Sequence, residues 1–206
     1  MGTHVAPEVR RAQILAAAQT CFGRSGYHKT TMDDIVRAAG LSKGSLYWHF
    51  KSKDEIFLAL FDEFDRAVFD AWVEVAGSDA LETLRLEAEI VLETLLRDRS
   101  FIETWTEFLK HPLIRERFAD VYSRSREHLA ATIEAGIGRG EIAPCDARHA
   151  ATMLTALIEG LLIQALADPG FDPLVAWPTA WRIVSDGMRC PAGATPAPDA
   201  PQPPPV

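Results

Sequence analysis

Between Thr30 and Lys53 the chain reads TTMDDIVRAAGLSKGSLYWHFKSK, and this stretch constrains the fold more than any other. Thr30 or Thr31 can cap a helix whose first turn carries Asp33 and Asp34, where carboxylates favour the positive end of the helix dipole. Ile35, Val36 and Ala39 give that helix one apolar face. Gly40 stands where the helix must stop, because glycine adopts positive φ without the steric cost other residues meet. Leu41 returns to the core, and Ser42 can cap a second helix running from Lys43 to Phe50. Two short helices joined by a glycine turn make a helix-turn-helix, and the second is rich in groups that bond to DNA in a major groove.

The charge distribution supports that reading although the total opposes it. The 206-residue chain carries a formal net charge of −8. Residues 1–52, however, hold seven bases (Arg10, Arg11, Arg24, Lys29, Arg37, Lys43 and Lys51) against three acids (Glu8, Asp33 and Asp34), a net of +4 that leaves −12 for the remainder. A basic head on an acidic body suits a DNA reader joined to a domain that avoids phosphate. The length allows one sizeable core and a small module. Cys21, Cys145 and Cys190 are scattered and odd in number, which fits free thiols in a reducing cytoplasm. No nucleophile–base pair, metal-ligand spacing or phosphate loop is evident, so the expected protein is not an enzyme and has no catalytic residue, metal or cofactor. The N-terminus has no apolar signal segment. The most apolar run, Ala150 to Ala167, is interrupted by Glu159 and Gln164 and reads as too short and too polar for a membrane span.

The rest of the chain is helical in pattern, about nine helices in all. After a flexible lead (residues 1–7), Ile14, Leu15, Ala18, Cys21 and Phe22 form one stripe of a bracing helix, from which Arg10 and Arg11 can reach phosphates. Trp48 and Phe50 read as packing in the small core. From Lys53, the residues Phe57, Leu60, Phe61, Phe64, Val68 and Trp72 recur at helical spacing. A helix from Lys53 to Ala76 would span about 36 Å at about 1.5 Å per residue, long enough to serve both domains. Asp79 with Glu82 marks the start of a fifth helix, and Ser100 with Glu103 that of a sixth. Pro112 can open a seventh. Asp146 caps a segment that is apolar on nearly every side, and Asp172-Pro173 opens a last helix in which Pro178 is a kink or the true start. The tail, residues 189–206, is rich in proline and alanine and reads as disordered. The expected domains are therefore 1–52, 53–188 and this tail.

The segment around the helix-turn-helix closely resembles the DNA-binding domain of the TetR family of bacterial regulators. The residues that carry the resemblance are Thr30-Thr31, the run Ala38-Ala39-Gly40-Leu41-Ser42-Lys43-Gly44-Ser45-Leu46-Tyr47-Trp48-His49-Phe50, and Lys53. It is strong over residues 10 to 65, and beyond them it is one of helical layout. The resemblance implies an all-α protein: a three-helix DNA-binding domain followed by a helical ligand-binding and dimerisation domain. It also implies that Thr31, Tyr47, His49 and Lys53 grip phosphates, while Lys43, Gly44 and Ser45, behind the capping Ser42, face base edges. Met32 stands where some relatives carry a base-reading arginine. The expected function is repression from a near-palindromic operator, relieved by a small apolar effector. The alternatives are a DNA-binding regulator with no small ligand, and an activator.

A single module buries too little to bind a specific site tightly, so a dimer reading two half-sites is expected. The helices at 147–167 and 173–188 are its expected interface, because a helix apolar all round must be covered. A pocket is expected within the body. Its candidate walls are Phe64, Trp72, Trp105, Phe108, Tyr122 and Met153, with Glu107 or Glu159 as polar anchors. The aromatic set suits an apolar ligand, including one that carries a positive charge.

Overall fold

A computed structural model describes residues 6–75, 77–96 and 111–190, with the side chains of residues 73, 74 and 113 left out. It contains α1 (Pro7–Ser25), α2 (Met32–Ala39), α3 (Lys43–His49), α4 (Lys53–Glu74), α5 (Ala80–Leu96), α6 (Pro112–Gly138), α7 (Ala147–Ala167) and α8 (Pro173–Met188). The described residues form no strand, only an isolated antiparallel bridge between Ile142 and Arg189. The fold is all-α, as the sequence predicts. The sixth helix expected after Ser100 and the proline-rich tail beyond Cys190 lie outside the described residues, as do Glu107 and the pocket residues Trp105 and Phe108.

Helix boundaries follow the capping chemistry. Thr31 closes a full capping box on α2: its side chain accepts from the Asp34 amide, while the Asp34 carboxylate accepts from the Thr31 amide at 2.9 Å. Thr30 is instead buried, its hydroxyl donating to the carbonyls of Cys21 and Gly26. Gly40 ends α2 in the left-handed region at φ 64°. Ser42 caps α3, Ser52 caps α4, Asp146 caps α7 and Asp172 caps α8, each accepting a backbone N–H of the first turn. Pro178 lies inside α8, whose start is Pro173.

The interior divides into two apolar clusters. The first joins Ile14, Leu15, Phe22, Tyr27, Ile35, Leu46 and Phe50 to Ile56, Phe57, Leu60 and Phe61 of α4. It also takes in Ile114, Phe118 and Val121 of α6, so the head's core extends past residue 52 into the body. The second gathers Phe64, Val68 and Trp72 of α4 with α5, the later part of α6, α7 and α8. At 22 residues α4 runs about 33 Å, and it supplies both clusters.

Two expectations about apolar residues need correction. Trp48 is not in the small core: it is 67% exposed, with its ring edge-on to His49 at 4.5 Å. The heptapeptide α3 turns Leu46 inward, and its neighbours two positions away must then face out. The helix α7, at 21 residues with a mean hydropathy of 1.7, is long and apolar enough to cross a bilayer, contrary to the sequence reading. In this fold it packs against α6, and Glu159 near its middle bonds to the Tyr122 hydroxyl. Only 28% of its most apolar window is buried within the chain. Met153 and Ile163 on α7, with Leu174, Val175 and Ile183 on α8, remain exposed.

Candidate functional site

The face expected to read DNA is built from α2, the Gly40 turn and α3. Leu46 and Phe50 pin α3 to the head core, which leaves Lys43, Gly44, Tyr47 and Trp48 exposed and Ser45 and His49 half-buried. Lys43 is paired with Asp33 at 2.8 Å, linking the start of α3 to the first turn of α2. The hydrogen bond to Asp33, with its charge, raises the Lys43 pKa, so the ammonium stays protonated. Gly44 has open space where a Cβ would stand, so nothing inside the chain requires glycine there. The phenol of Tyr47 faces outward from the same helix.

Two residues expected to grip phosphate are used differently. The Lys53 ammonium points inward, donating to the carbonyls of Tyr27 at 2.6 Å and Thr30 at 2.8 Å and lying 4.2 Å from the Tyr27 ring centroid. Burial lowers its pKa. It straps the α1–α2 loop to the start of α4, and its three donors are directed at carbonyls rather than outward. The Thr31 hydroxyl donates to Asp34 at 2.6 Å, so its proton is engaged in the cap. Arg11 likewise pairs with Glu63 of α4 at 2.6 Å, tying the bracing helix to the long one. The sequence shows these residue types but not the carbonyls and carboxylates that fold against them.

The body holds an apolar cavity between α4, α5, α6 and α7, with about 640 Å³ of space between atoms, its solvent-open mouth included. Three of the expected wall residues, Phe64, Trp72 and Tyr122, meet there with the expected polar anchor Glu159. Met153 does not, since it is 48% exposed on the outer side of α7 beside Cys145 and His149. Helical spacing placed it on the apolar helix but could not choose the face, because that helix is apolar on every side. Residues missed from sequence include Asp65, Phe69 and Leu129. Asp65 follows Phe64 and lies beside the aromatic stripe, a position that could have marked it.

The ionisable groups on this cavity are Asp65, Tyr122 and Glu159, among the described residues. Burial and the bond to Glu159 push the Tyr122 phenol far up, so it stays protonated and donates. One Asp65 oxygen accepts from Arg124 at 2.8 Å, while its Oδ1 is buried without a hydrogen-bond partner among the described residues. A smaller chamber adjoins the cavity and shares the wall residues Trp72, Leu129 and Ile158 with it. No group of His, Cys, Asp and Glu side chains suited to a metal occurs among the described residues.

Comparison with known proteins agrees with this architecture. Residues 14–60 match the family model for bacterial regulatory proteins of the tetR family, and residues 80–185 match that for the C-terminal domain of BetI-type transcriptional repressors. The chain is 31% identical over 172 residues to the transcriptional regulator EthR of Mycolicibacterium smegmatis, covering 80% of this chain and 79% of that one. It is 31% identical over 136 residues to the transcriptional repressor KstR2 of Rhodococcus jostii, covering 64% and 67%. A solved structure of a putative transcriptional regulator from Saccharomonospora viridis in complex with choline superposes with a TM-score of 0.70 at 33% identity, covering 87% of this chain and 95% of that one. A helix-turn-helix head on a helical body, matched over both parts, defines a helix-turn-helix transcriptional regulator. The chain belongs to the TetR family.

Proposed function

We propose that this protein is an effector-responsive repressor that binds a near-palindromic operator as a homodimer in the cytoplasm, and that it is not an enzyme. The head, residues 1–52, reads DNA; the body, residues 53–188, dimerises and binds the effector. The observation that carries this reading is α4. Its first half is core to the head and its second half, through Phe64, Val68 and Trp72, walls the cavity. A ligand that shifts the second half must move the first, and the head with it. To release DNA, the effector must bind the released conformer more tightly than the DNA-bound one.

Dimerisation is supported by the exposed Met153, Ile163, Val175 and Ile183 on adjacent helices, since a four-helix contact through α7 and α8 would cover them. Operator contact is supported by the outward Tyr47, Trp48 and Lys43, with the phosphate grip assigned to Tyr47 and His49. The choline-bound relative supports a small-molecule effector, and the cavity's walls suit one with an apolar body.

In vitro selection of bound DNA tests the reading directly: the expected result is a near-palindrome with half-sites about one helical turn apart. Tyr47→Ala and Lys43→Ala should each weaken operator binding at least about tenfold with the fold retained; normal binding in both would sink the α3 assignment. Ile163→Asp with Ile183→Asp should give monomers by ultracentrifugation at micromolar concentration, and an intact dimer would move the interface elsewhere.

A further inference from the structure

Asp33 and Lys43 meet on the face expected to read DNA, and the reading above uses only the lysine. Asp33 Oδ2 lies 2.8 Å from the Lys43 ammonium, and the side chains of Lys43 and Asp33 remain 65% and 55% exposed. The first turn of α2 carries two acids, Asp33 and Asp34. Asp34 is committed to the capping box with Thr31 and pairs with Arg37. Asp33 takes no part in that box. An acid on a surface that approaches phosphates lowers affinity for every DNA sequence, so its place there is explained by discrimination between sequences rather than by affinity.

The pair presents a hydrogen-bonding pattern. An ammonium has three donors, and the bond to Asp33 leaves two; a carboxylate accepts at about four positions, and the bond to Lys43 leaves several of them open. Two donors beside an acceptor mirror the major-groove edge of a G·C pair, which offers the N7 and O6 acceptors of guanine and then the N4 amino donor of cytosine. An A·T pair places thymine O4, an acceptor, where the carboxylate would stand. Gly44, next to Lys43 in α3, has nothing within 4 Å of the place a Cβ would take. Packing within the chain therefore does not require glycine, a residue that weakens a helix of only seven residues. On the outer side, its bare backbone leaves room for a base edge to approach.

Resting on the operator-binding reading above, we propose that Asp33 is a specificity-determining residue that reads one G·C base pair in each half-site together with Lys43. Lys43 donates to guanine O6 and N7, and Asp33 accepts from cytosine N4. The carboxylate also holds the long lysine side chain in one direction, so the ammonium is aimed at a base edge instead of settling on a phosphate. Removing the carboxylate should therefore loosen sequence choice while tightening binding to DNA in general.

The test uses the full-length protein and the operator returned by in vitro selection, with each selected G·C pair exchanged in turn and binding followed by fluorescence anisotropy. In the unmodified protein, changing the pair that Asp33 reads to A·T should weaken binding about tenfold or more. N4-methylcytosine at that pair, which still pairs with guanine but lacks the free amino N–H, should do the same. In Asp33→Ala both losses should shrink to about twofold or less, while affinity for non-operator DNA of equal length rises about twofold or more. Circular dichroism checks the fold, and the N4-methylcytosine arm needs no variant, so it decides alone should Asp33→Ala fail to fold. An operator in which no G·C pair is sensitive to N4-methylcytosine overturns the proposal. So does an Asp33→Ala protein that keeps the full preference, or one that loses operator and non-operator binding in equal measure, which would make Asp33 a brace between α2 and α3. Failure of the operator-binding reading looks different: the unmodified protein then selects no sequence at all, and both fall together.

Discussion

The head and the body of this protein are both helical and both well capped, yet they leave their unsatisfied chemistry on opposite sides. In the head, Lys53 is paired to loop carbonyls, Thr30 to two carbonyls and Arg11 to Glu63, and the buried atom left without a hydrogen-bond partner beside its core, among the described residues, is His111 Nδ1 at the start of α6. Its Tyr47 phenol and its Trp48 ring, edge-on to His49, point outward. In the body the outward face of α7 and α8 is apolar, and the incompletely paired groups, Asp65 Oδ1 and Glu87 Oε2, are buried. A surface that meets a polyanion must keep donors outside, whereas a pocket that selects a small molecule must keep its charges in a water-poor interior where they count for more. Among the described residues the two regions meet through α4 and the first part of α6, and the sharpest tests of the contrast act there.

The largest effect is expected at Phe57, fully buried in the head core, in ring contact with Phe22 at 5.3 Å and with Tyr27 at 4.4 Å. His111 and Ile114, where α6 begins, belong to the same packing. Phe57→Ala should cost about 3–5 kcal/mol, seen as a lower thermal midpoint and denaturant midpoint. If head and body share one cooperative unit through α4, tryptophan fluorescence, which reports mainly on the body, should lose its signal in the same transition as helicity. Two separated transitions would show that the head unfolds alone and would weaken α4 as the line of communication.

An intermediate effect is expected at Lys53, where the resemblance and the geometry disagree. Lys53→Met leaves the carbonyls of Tyr27 and Thr30 without their donor, which should cost about 1–3 kcal/mol of stability. It should leave the slope of log affinity against log salt for operator DNA unchanged. A residue that contacts phosphate would instead lower that slope by about one per half-site. A reduced slope with unchanged stability would return Lys53 to the phosphate grip.

Such disagreements show what the sequence carries. The Thr31 cap of α2, the Gly40 turn and the apolar stripe of α4 are local patterns, and each is where spacing puts it. Trp48 was misplaced because α3 is too short for periodicity to separate a core face from a groove face. Met153 was misplaced because α7 has no polar face to set its orientation. Asp65 and Glu87 were missed because their significance lies in which oxygen lacks a partner, and that depends on Arg124 and His128, 59 and 41 residues away. Local structure is written in neighbours; the cavity is written in contacts between distant helices.

The smallest effect is expected at His128, which lets the body's interior charge be read without a ligand. Its Nε2 meets Glu87 Oε1 at 2.7 Å and its ring stacks on Trp72 at 5.0 Å; Glu87 is the charged group facing it among the described residues. The hydrogen bond to Glu87 raises the His128 pKa above the ordinary 6.5, overcoming the opposing effect of burial. A raised folded value means that the folded protein binds the proton more tightly than the unfolded chain does. The resulting stabilisation is fully present below pH 6.5 and is lost as pH rises through the folded value. The imidazole is about a third exposed, so solvent screens the pair and the change should be modest. Thermal midpoints measured from pH 5.5 to 8.5 should therefore fall across the upper part of that range in the unmodified protein (about one degree to a few). In His128→Gln that component should vanish, and a profile of the same shape in the variant would mean that another group carries the pH dependence and that Glu87 is not held by a protonated partner.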